Sequence, residues 1–390
     1  MKLRHLFLAA IVAIGMMACN NEEVPQVVDG AESTVSVQVV PSSSGPVVKA
    51  TGDLSGNGVL AAGLPEESAI KQLEVFIFVG ETPDGYKSES GANVTEVKQI
   101  STHSGPKTIV VVANAGIGAV TSKSVLLAKT KDLPVTIANG LVMTSAETSV
   151  TLAAGQNYFG YIAGQTPSGT EHSVGAPLKI TRVNARVAII DAKLDTTLPP
   201  DQLAIFDALT AAEVAIFNVP KTTKLFGAPL ALNNDYLFGE AWPTTQNSYT
   251  VGTALGSFKD ASVPFPVVVA TAPHYYVNEN TATNVKEQML IVLRAKPTKG
   301  NPAVAVVAPG LYTDANGYTY YPVWVNAPKT NYSYGSHTPD SKIVRNTQYN
   351  ITLLIKGIGN PTIDDVENAY LDVLVSVEPW AVVTQDVTWQ

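Results

Sequence analysis

Ser33-Thr34-Val35-Ser36-Val37-Gln38-Val39-Val40 sets Val35, Val37 and Val39 on one side of an extended chain and Ser36 and Gln38 on the other. Alternation with period two is the pattern of a strand with one buried face. Upstream, Lys2 and Arg4 precede an apolar run from Leu6 to Ala18, flanked as a signal peptide is and too short for a stop-transfer helix. The run ends in Met16-Met17-Ala18-Cys19, and Cys19 is the only cysteine in 390 residues. A small residue before that cysteine reads as a lipobox, whose thiol is acylated and becomes the new N-terminus. Downstream, a Pro/Gly/Ser-rich link from Pro41 to Pro46 leads to Lys49, the only Lys or Arg between Arg4 and Lys71. A trypsin-like protease acting on the exported chain therefore meets one basic site, Lys49-Ala50, just behind a single detachable strand. The expectation is a temporary filler of the protein's own sheet, cut away so that another subunit takes its place. A tether followed by an ordinary edge strand is the plainer reading of the same residues.

Composition agrees with an exported body. After residues 1–18 are removed, enough chain remains for two domains, and 45% hydrophobic residues fill two cores. Charged residues make up only 15%, the net charge is -8, and no basic stripe is present to neutralise phosphates, so nucleic acid is not an expected partner. With its one cysteine assigned to lipid, the chain has no disulfide framework and no cysteine-based metal site. Past Ala18 no apolar run is long enough to span a bilayer as a helix, leaving one acyl-type anchor on an otherwise soluble body.

Beyond Lys49 the chain reads as short strands punctuated by turns. Residues 50–64 are a Gly/Ser/Asn-rich leader; Gly-rich as it is, no Gly-Lys-Ser/Thr follows, so it is not a phosphate loop. Ile70–Val79 is a strand, Gly80–Gly91 a turn-rich excursion around Pro83-Asp84-Gly85, and Val94–Ile100 extended. Thr108–Ala115 is an apolar run short enough for a strand buried on both faces. Ser122–Lys131 suggests a short helix, and Pro177–Asp191 a strand whose Arg182 and Arg186 read as a solvated or edge-protecting face. Thr196–Asp201, with Pro199-Pro200, reads as the linker between halves. In the second half, Gln202–Thr210 has helical character, followed by strands at Val214–Val219, Pro264–Ala270 and Tyr275–Val277. A hairpin joins Gln288–Lys296 to Ala303–Ala308, and further strands follow at Tyr318–Val325, Asn350–Ile355, Leu371–Val377 and Ala381–Trp389. Such a chain packs sheet on sheet. The expected class is all-β, two tandem β-sandwiches with few short helices: signal peptide 1–18, propeptide with removable strand 19–49, and sandwiches at 50–195 and 196–390.

Chemistry-bearing motifs are sparse. His5, His103, His172, His274 and His337 are far apart, none at metal-ligand spacing. There is no Gly-x-Ser-x-Gly elbow. Asp314-Ala315-Asn316-Gly317 lacks the alternating acids of a calcium loop and reads as a turn. Sheet packing accounts for most of the tyrosines, among them Tyr318, Tyr320, Tyr321, Tyr332 and Tyr334. No enzyme, metal or cofactor is expected.

The signal with Cys19, the strand and lone basic residue, LEVFIFV at 73–79, TIVVVAN at 108–114, the Met143 segment, TRVNARVAI at 181–189, VAIFNVP with KLFG soon after, APHYYVNEN at 272–280, YYPVWVN at 320–326, VRNTQYNITLLIKGIG at 344–359 and VSVEPWAV at 375–382 together resemble the fimbrillins, the lipoprotein-derived pilins of Gram-negative anaerobes. The resemblance implies export as an outer-membrane lipoprotein, proteolytic release of an N-terminal strand at the cell surface, and polymerisation into a fimbrium with like subunits and with anchor and tip subunits, supporting adhesion to a host ligand. In that family the cleaved bond usually follows arginine; here Lys49 takes that place, since no arginine lies between Arg4 and Arg182.

A sheet missing one strand exposes unpaired backbone and an apolar groove, the condition for strand addition. Burying Val35, Val37 and Val39 contributes on the order of 5–9 kcal/mol before entropy, at roughly 1.5–3 kcal/mol each. The candidate donor is the C-terminal end, where Val373, Val375 and Val377 form one apolar face and Val383, Val387 and Trp389 another. A head-to-tail contact of this kind does not close on itself and makes a fibre. The rival expectation is a surface lipoprotein, held by Cys19, that binds glycan or host protein without polymerising.

Overall fold

The computed structural model describes residues 30–41, 65–133, 138–161, 173–174, 177–231, 235–239, 253–254, 259–363 and 370–379. Its principal strands in the first half are β1 (Glu32–Pro41), β2 (Gln72–Val79), β3 (Thr82–Ser90), β4 (Glu96–His103), β5 (Gly105–Ala113), β6 (Met143–Thr144), β7 (Thr148–Leu152), β8 (Gly155–Phe159) and β9 (Leu178–Arg182). In the second half they are β10 (Ala185–Leu194), β11 (Ala208–Phe217), β12 (Lys259–Val263), β13 (His274–Val277), β14 (Leu290–Lys299), β15 (Thr319–Trp324), β16 (Tyr332–Ser333), β17 (Thr347–Ile355) and β18 (Leu371–Pro379). The described α-helices are short: α1 (Pro65–Ser68), α2 (Lys123–Leu127) and α3 (Pro200–Ile205). The all-β reading holds.

In the first half, β2 runs antiparallel between β3 and β5, and β6 links β5 to β9. Leu73, Val75 and Ile77 of β2 face inward with Ile109 and Val111 of β5. They meet Val97 and Ile100 of β4, Phe159 of β8 and the valines of β1. The opposite face of β2 and β5, with Phe76, Phe78, Val110 and Val112, is covered by Leu126 of α2 and by Leu225-Phe226 from the second half. That second cover is why TIVVV reads as apolar without alternation, as expected of a strand buried on both faces.

In the second half, β10 lies between β13 and β17, and β17 pairs in turn with β18. The facing layer is β12-β11-β14, with β15 on the other side of β14. Val187, Ile189, Ile351, Leu353, Val373 and Val375 pack there against Val214, Ile216, Ile291, Leu293, Tyr321 and Val323.

Four local expectations change. The Gly80–Gly91 excursion is a strand, β3, antiparallel to β2; the register steps from Ile77↔Gly85 to Phe78↔Pro83, which leaves Asp84 as the extra residue of a bulge. Pro83 and Gly85 on either side of it are paired, and the bulged Asp84 buries its side chain against Lys107. The stretch 185–194, placed with the first half on sequence, pairs with β13 and β17 of the second. Pro199-Pro200 therefore breaks the chain between β10 and α3, inside one sandwich; paired prolines mark a break without saying what lies on either side. Pro264–Ala270 is not a strand but a bridge at Val267 and a short 3-10 turn. Of the two helix expectations, only Lys123–Leu127 and Pro200–Ile205 coil, and Thr130–Asp132 and Ala208–Thr210 are extended.

Arg182 and Arg186 do not form a solvated face. Both are fully buried where the two halves meet. Arg186 Nη1 donates to Glu67 Oε1 at 2.8 Å and Arg186 Nη2 to Gln348 Oε1 at 2.8 Å. Arg182 donates to the Glu67 carbonyl, to Ser68 Oγ and to Asn346 Oδ1. The arginines thus clamp α1, the first described element after the link that carries Lys49. Burial pushes the Arg182 guanidinium down to about 10, against the opposing pull of Glu67.

A strand-filled groove as the candidate functional site

The strand read first from the sequence is the centre of the candidate site. β1 is hydrogen-bonded along both edges: antiparallel to β4 from Glu32↔His103 to Gln38↔Glu96, and parallel to β8 from Ser33↔Gly155 to Val37↔Phe159. Its last residues change neighbour and run parallel to β9, with Val39 opposite Leu178 and Pro41 opposite Ile180. One strand therefore ties together the β4/β8 layer and the β9 layer. Removing it would leave unpaired backbone on three strands.

Val35, Val37 and Val39 point into the core at 0%, 0% and 3% exposure, as the alternation predicts. At the head of β1, Ser33 Oγ donates to the carbonyls of Ala153 and Gly155 and accepts from Asn157 Nδ2 at 2.9 Å. On the outer face Ser36 is buried as well. It sits opposite a β-bulge, where the register steps from Val35↔Ile100 to Val37↔Val97 and two residues of β4 face one of β1. Gln99 in that bulge has a φ of 53°, and its backbone N–H donates to Ser36 Oγ at 3.1 Å. At the far end Val39 N donates to Thr95 O at 2.9 Å. Gly160 follows β8 with φ 84°; a Cβ there would stand 2.5 Å from the Gln38 carbonyl, so the close approach of β1 requires glycine.

The groove wall is pinned by a buried ion cluster. Asp84 accepts from Lys107 Nζ at 2.6 Å, from Thr102 Oγ1 at 2.6 Å and from the His103 backbone N–H at 3.1 Å, with His103 Nδ1 at 2.6 Å. Burial alone would raise the Asp84 pKa, but these donors outweigh it and hold the carboxyl at about 2. The cluster locks the end of β4, which pairs with the head of β1, onto β3 and β5.

At the other end of the chain, β18 is antiparallel to β17 from Leu371↔Ile355 to Pro379↔Thr347 and parallel to β16 at Tyr332↔Val373. Val373 and Val375 are buried and Val377 is half-buried. Val383, Val387 and Trp389 lie outside the described residues, as do Cys19, Lys49 and Ala50. Asn157, the Gln99 bulge and Gly160 escaped sequence reading, because a polar residue or glycine between turn residues looks like loop. Among the described residues no group of three or more His, Cys, Asp or Glu side chains is placed to hold a metal. Asp314 to Gly317 is a turn closed by Gly317 N to Asp314 O at 3.1 Å.

Two family models match the chain: one described as the major fimbrial subunit protein (FimA) over residues 33–182, the other as the FimA4 pilin C-terminal domain over residues 192–380. The chain is 33% identical to a major fimbrium subunit FimA type-2 of Porphyromonas gingivalis and 31% identical to a type-4 subunit from the same species, each alignment covering 100% of both proteins. The crystal structure of a fimbrilin from Porphyromonas gingivalis W83 superposes with a TM-score of 0.73 at 27% identity, over 90% of this chain and 99% of that one. A putative cell adhesion protein from Parabacteroides distasonis shares the fold, with a TM-score of 0.65 at 19% identity over 90% of this chain and 99% of its own.

Proposed function

The chain belongs to the FimA family of major fimbrial subunits, and from that premise we propose that it is a self-capped pilin precursor whose β1 is exchanged for a strand of another subunit. In this reading the chain is exported as a lipoprotein acylated at Cys19, held at the outer membrane and cut after Lys49 by a trypsin-like surface protease. Ala50 then becomes the N-terminus of the subunit, and two sandwiches meeting near residues 183–184 form its body. The C-terminal segment of a second copy, through Val373, Val375 and Val377 or through Val383, Val387 and Trp389, refills the groove. Anchor and tip subunits terminate the fibre, and its surface meets an adhesion ligand.

The observation that carries the reading is the seating of β1, paired on both edges and with three valines in the core, yet followed by the only basic residue before Lys71. A tether with an incidental edge strand would not bridge two layers. Vacating that seat gives up on the order of 5–9 kcal/mol of apolar burial, comparable to the whole stability of a domain. Refilling it in trans is favoured by the same term.

Digesting the full-length protein with trypsin, sequencing the new N-terminus and sizing the product tests this. Ala50 at the N-terminus with a ladder of oligomers is the expected result, and deleting Ala381–Gln390, which removes Val383, Val387 and Trp389, should abolish the ladder if that segment is the donor. A product cut at Lys49 that stays monomeric under assembly conditions would instead mark a surface-binding lipoprotein.

A further inference from the structure

Beyond its head, where Ser33 Oγ meets Ala153, Gly155 and Asn157, most of what β1 offers its groove is generic, since valines and backbone fit any apolar strand. Ser36 is different: it is the buried residue of the outer face, and its hydroxyl oxygen receives the N–H of Gln99 where β4 bulges. Because side chains alternate faces, a slip of one residue turns every inward valine outward. A slip of two keeps the valines inside but takes Ser36 off the bulge, bringing Gln38 there in one direction and in the other Thr34, with the polar Ser33 then in the place of Val35.

The bulge therefore distinguishes registers that hydrophobicity cannot. The edge pairings also distinguish direction, because an occupant must run antiparallel to β4 and parallel to β8 and β9 at once. Val35-Ser36-Val37-Gln38 has the form valine, hydroxyl residue, apolar residue, Gln or Glu. In the whole chain that form recurs only at Val375-Ser376-Val377-Glu378 and Val387-Thr388-Trp389-Gln390, both at the C-terminal end.

We propose that the β4 bulge at Gln99 is the register key of the groove, and that its occupant in a fibre is the C-terminal end of a second copy of this chain, seated with Ser376 or Thr388 where Ser36 sits. This rests on the strand-exchange reading above and adds to it the position of every residue in the exchanged strand. With Ser376 on the key, Val375 and Val377 repeat Val35 and Val37, Leu374 faces Ser101, and Pro379, lacking an N–H, gives up the bond that Val39 makes to Thr95. With Thr388 on the key, Asp386 faces Ser101 and Trp389 must enter the space of Val37.

Cysteine cross-linking reads the register directly, because the one natural cysteine, Cys19, leaves with the propeptide. In β1, Thr34 stands opposite the exposed Ser101. Full-length protein carrying Ser101→Cys together with Leu374→Cys, or with Asp386→Cys, is cleaved, assembled and run without reductant. One of these two pairs should form a covalent ladder, while Ser101→Cys with Asp372→Cys, Ser376→Cys, Thr384→Cys or Thr388→Cys should not. Ladders formed by a displaced pair and by neither expected pair would overturn the register key and leave strand exchange intact. Absence of any polymer would remove both.

A synthetic Glu32–Pro41 peptide provides the second measurement, through competition with assembly. Its Ser36→Val form should compete about ten-fold less well and its Ser36→Thr form almost unchanged, since an unpaired N–H against an apolar side chain costs about one such factor. Equal potency of the valine and serine peptides would also overturn the proposal.

Discussion

Replacing Glu67 with alanine is expected to be the most damaging change at the junction of the two halves, although residues 65–68 form a single turn of helix. Its carboxylate accepts from Arg186 Nη1 at 2.8 Å and from Tyr276 Oη at 2.9 Å, and the side chains of Glu67 and Arg186 are both fully buried. Deleting it leaves Arg186 beside an equally buried Arg182, whose pKa burial already depresses to about 10. Removing one partner of a buried ion pair costs about 3–5 kcal/mol, because the surviving charge has lost both water and its counter-ion. For a unit of roughly 200 residues this corresponds to a fall in Tm of about 10 °C, at roughly 2–4 °C per kcal/mol. Urea unfolding at pH 7 measures the loss, and it should change little with salt, because a buried pair is poorly screened. Glu67→Gln keeps an acceptor for both donors and should lose less than Glu67→Ala. The double change Glu67→Met with Arg186→Met should recover part of the alanine loss, since apolar replacement of both partners removes the stranded charge. A Glu67→Ala protein within about 1 kcal/mol of wild type would refute the electrostatic account of the clamp.

Other consequences concern the groove itself. The folded pKa of Asp84, about 2, lies below its ordinary 3.8, so its contribution is complete above pH 4 and is lost as pH falls from about 4 through 2. Wild type should lose about 2 kcal/mol over that interval relative to Asp84→Asn, as acid titration of the unfolding midpoint would show. Val37→Ala should cost about 1.5–3 kcal/mol in the full-length protein, and Val37→Asp should unseat β1, which faster trypsin cleavage at Lys49 would report. Gly160→Ala puts a methyl group 2.5 Å from the Gln38 carbonyl at a φ that disfavours alanine; a loss of more than about 1 kcal/mol in the stability of the full-length protein is expected, by thermal unfolding.

The alternation of Val35, Val37 and Val39, the apolar runs of β2 and β5 and the density of turn residues determined by themselves that this is a sheet-on-sheet protein led by a strand with one buried face. Local pattern suffices there, because side-chain direction in a strand is set by backbone geometry alone. What lay beyond the sequence depends on which distant segments meet. Arg182 and Arg186 resemble a solvated face until Glu67, more than a hundred residues earlier, is brought against them. Residues 185–194 look like the close of the first half until their ladder to β17 is formed. The placement of β1 between β4, β8 and β9, and the bulge that receives Ser36, follow from pairings across 60 to 140 residues that no local periodicity encodes. Tertiary structure decided the partners because backbone hydrogen bonds carry no sequence of their own: any two strands can pair, and only packing of the whole core selects which do.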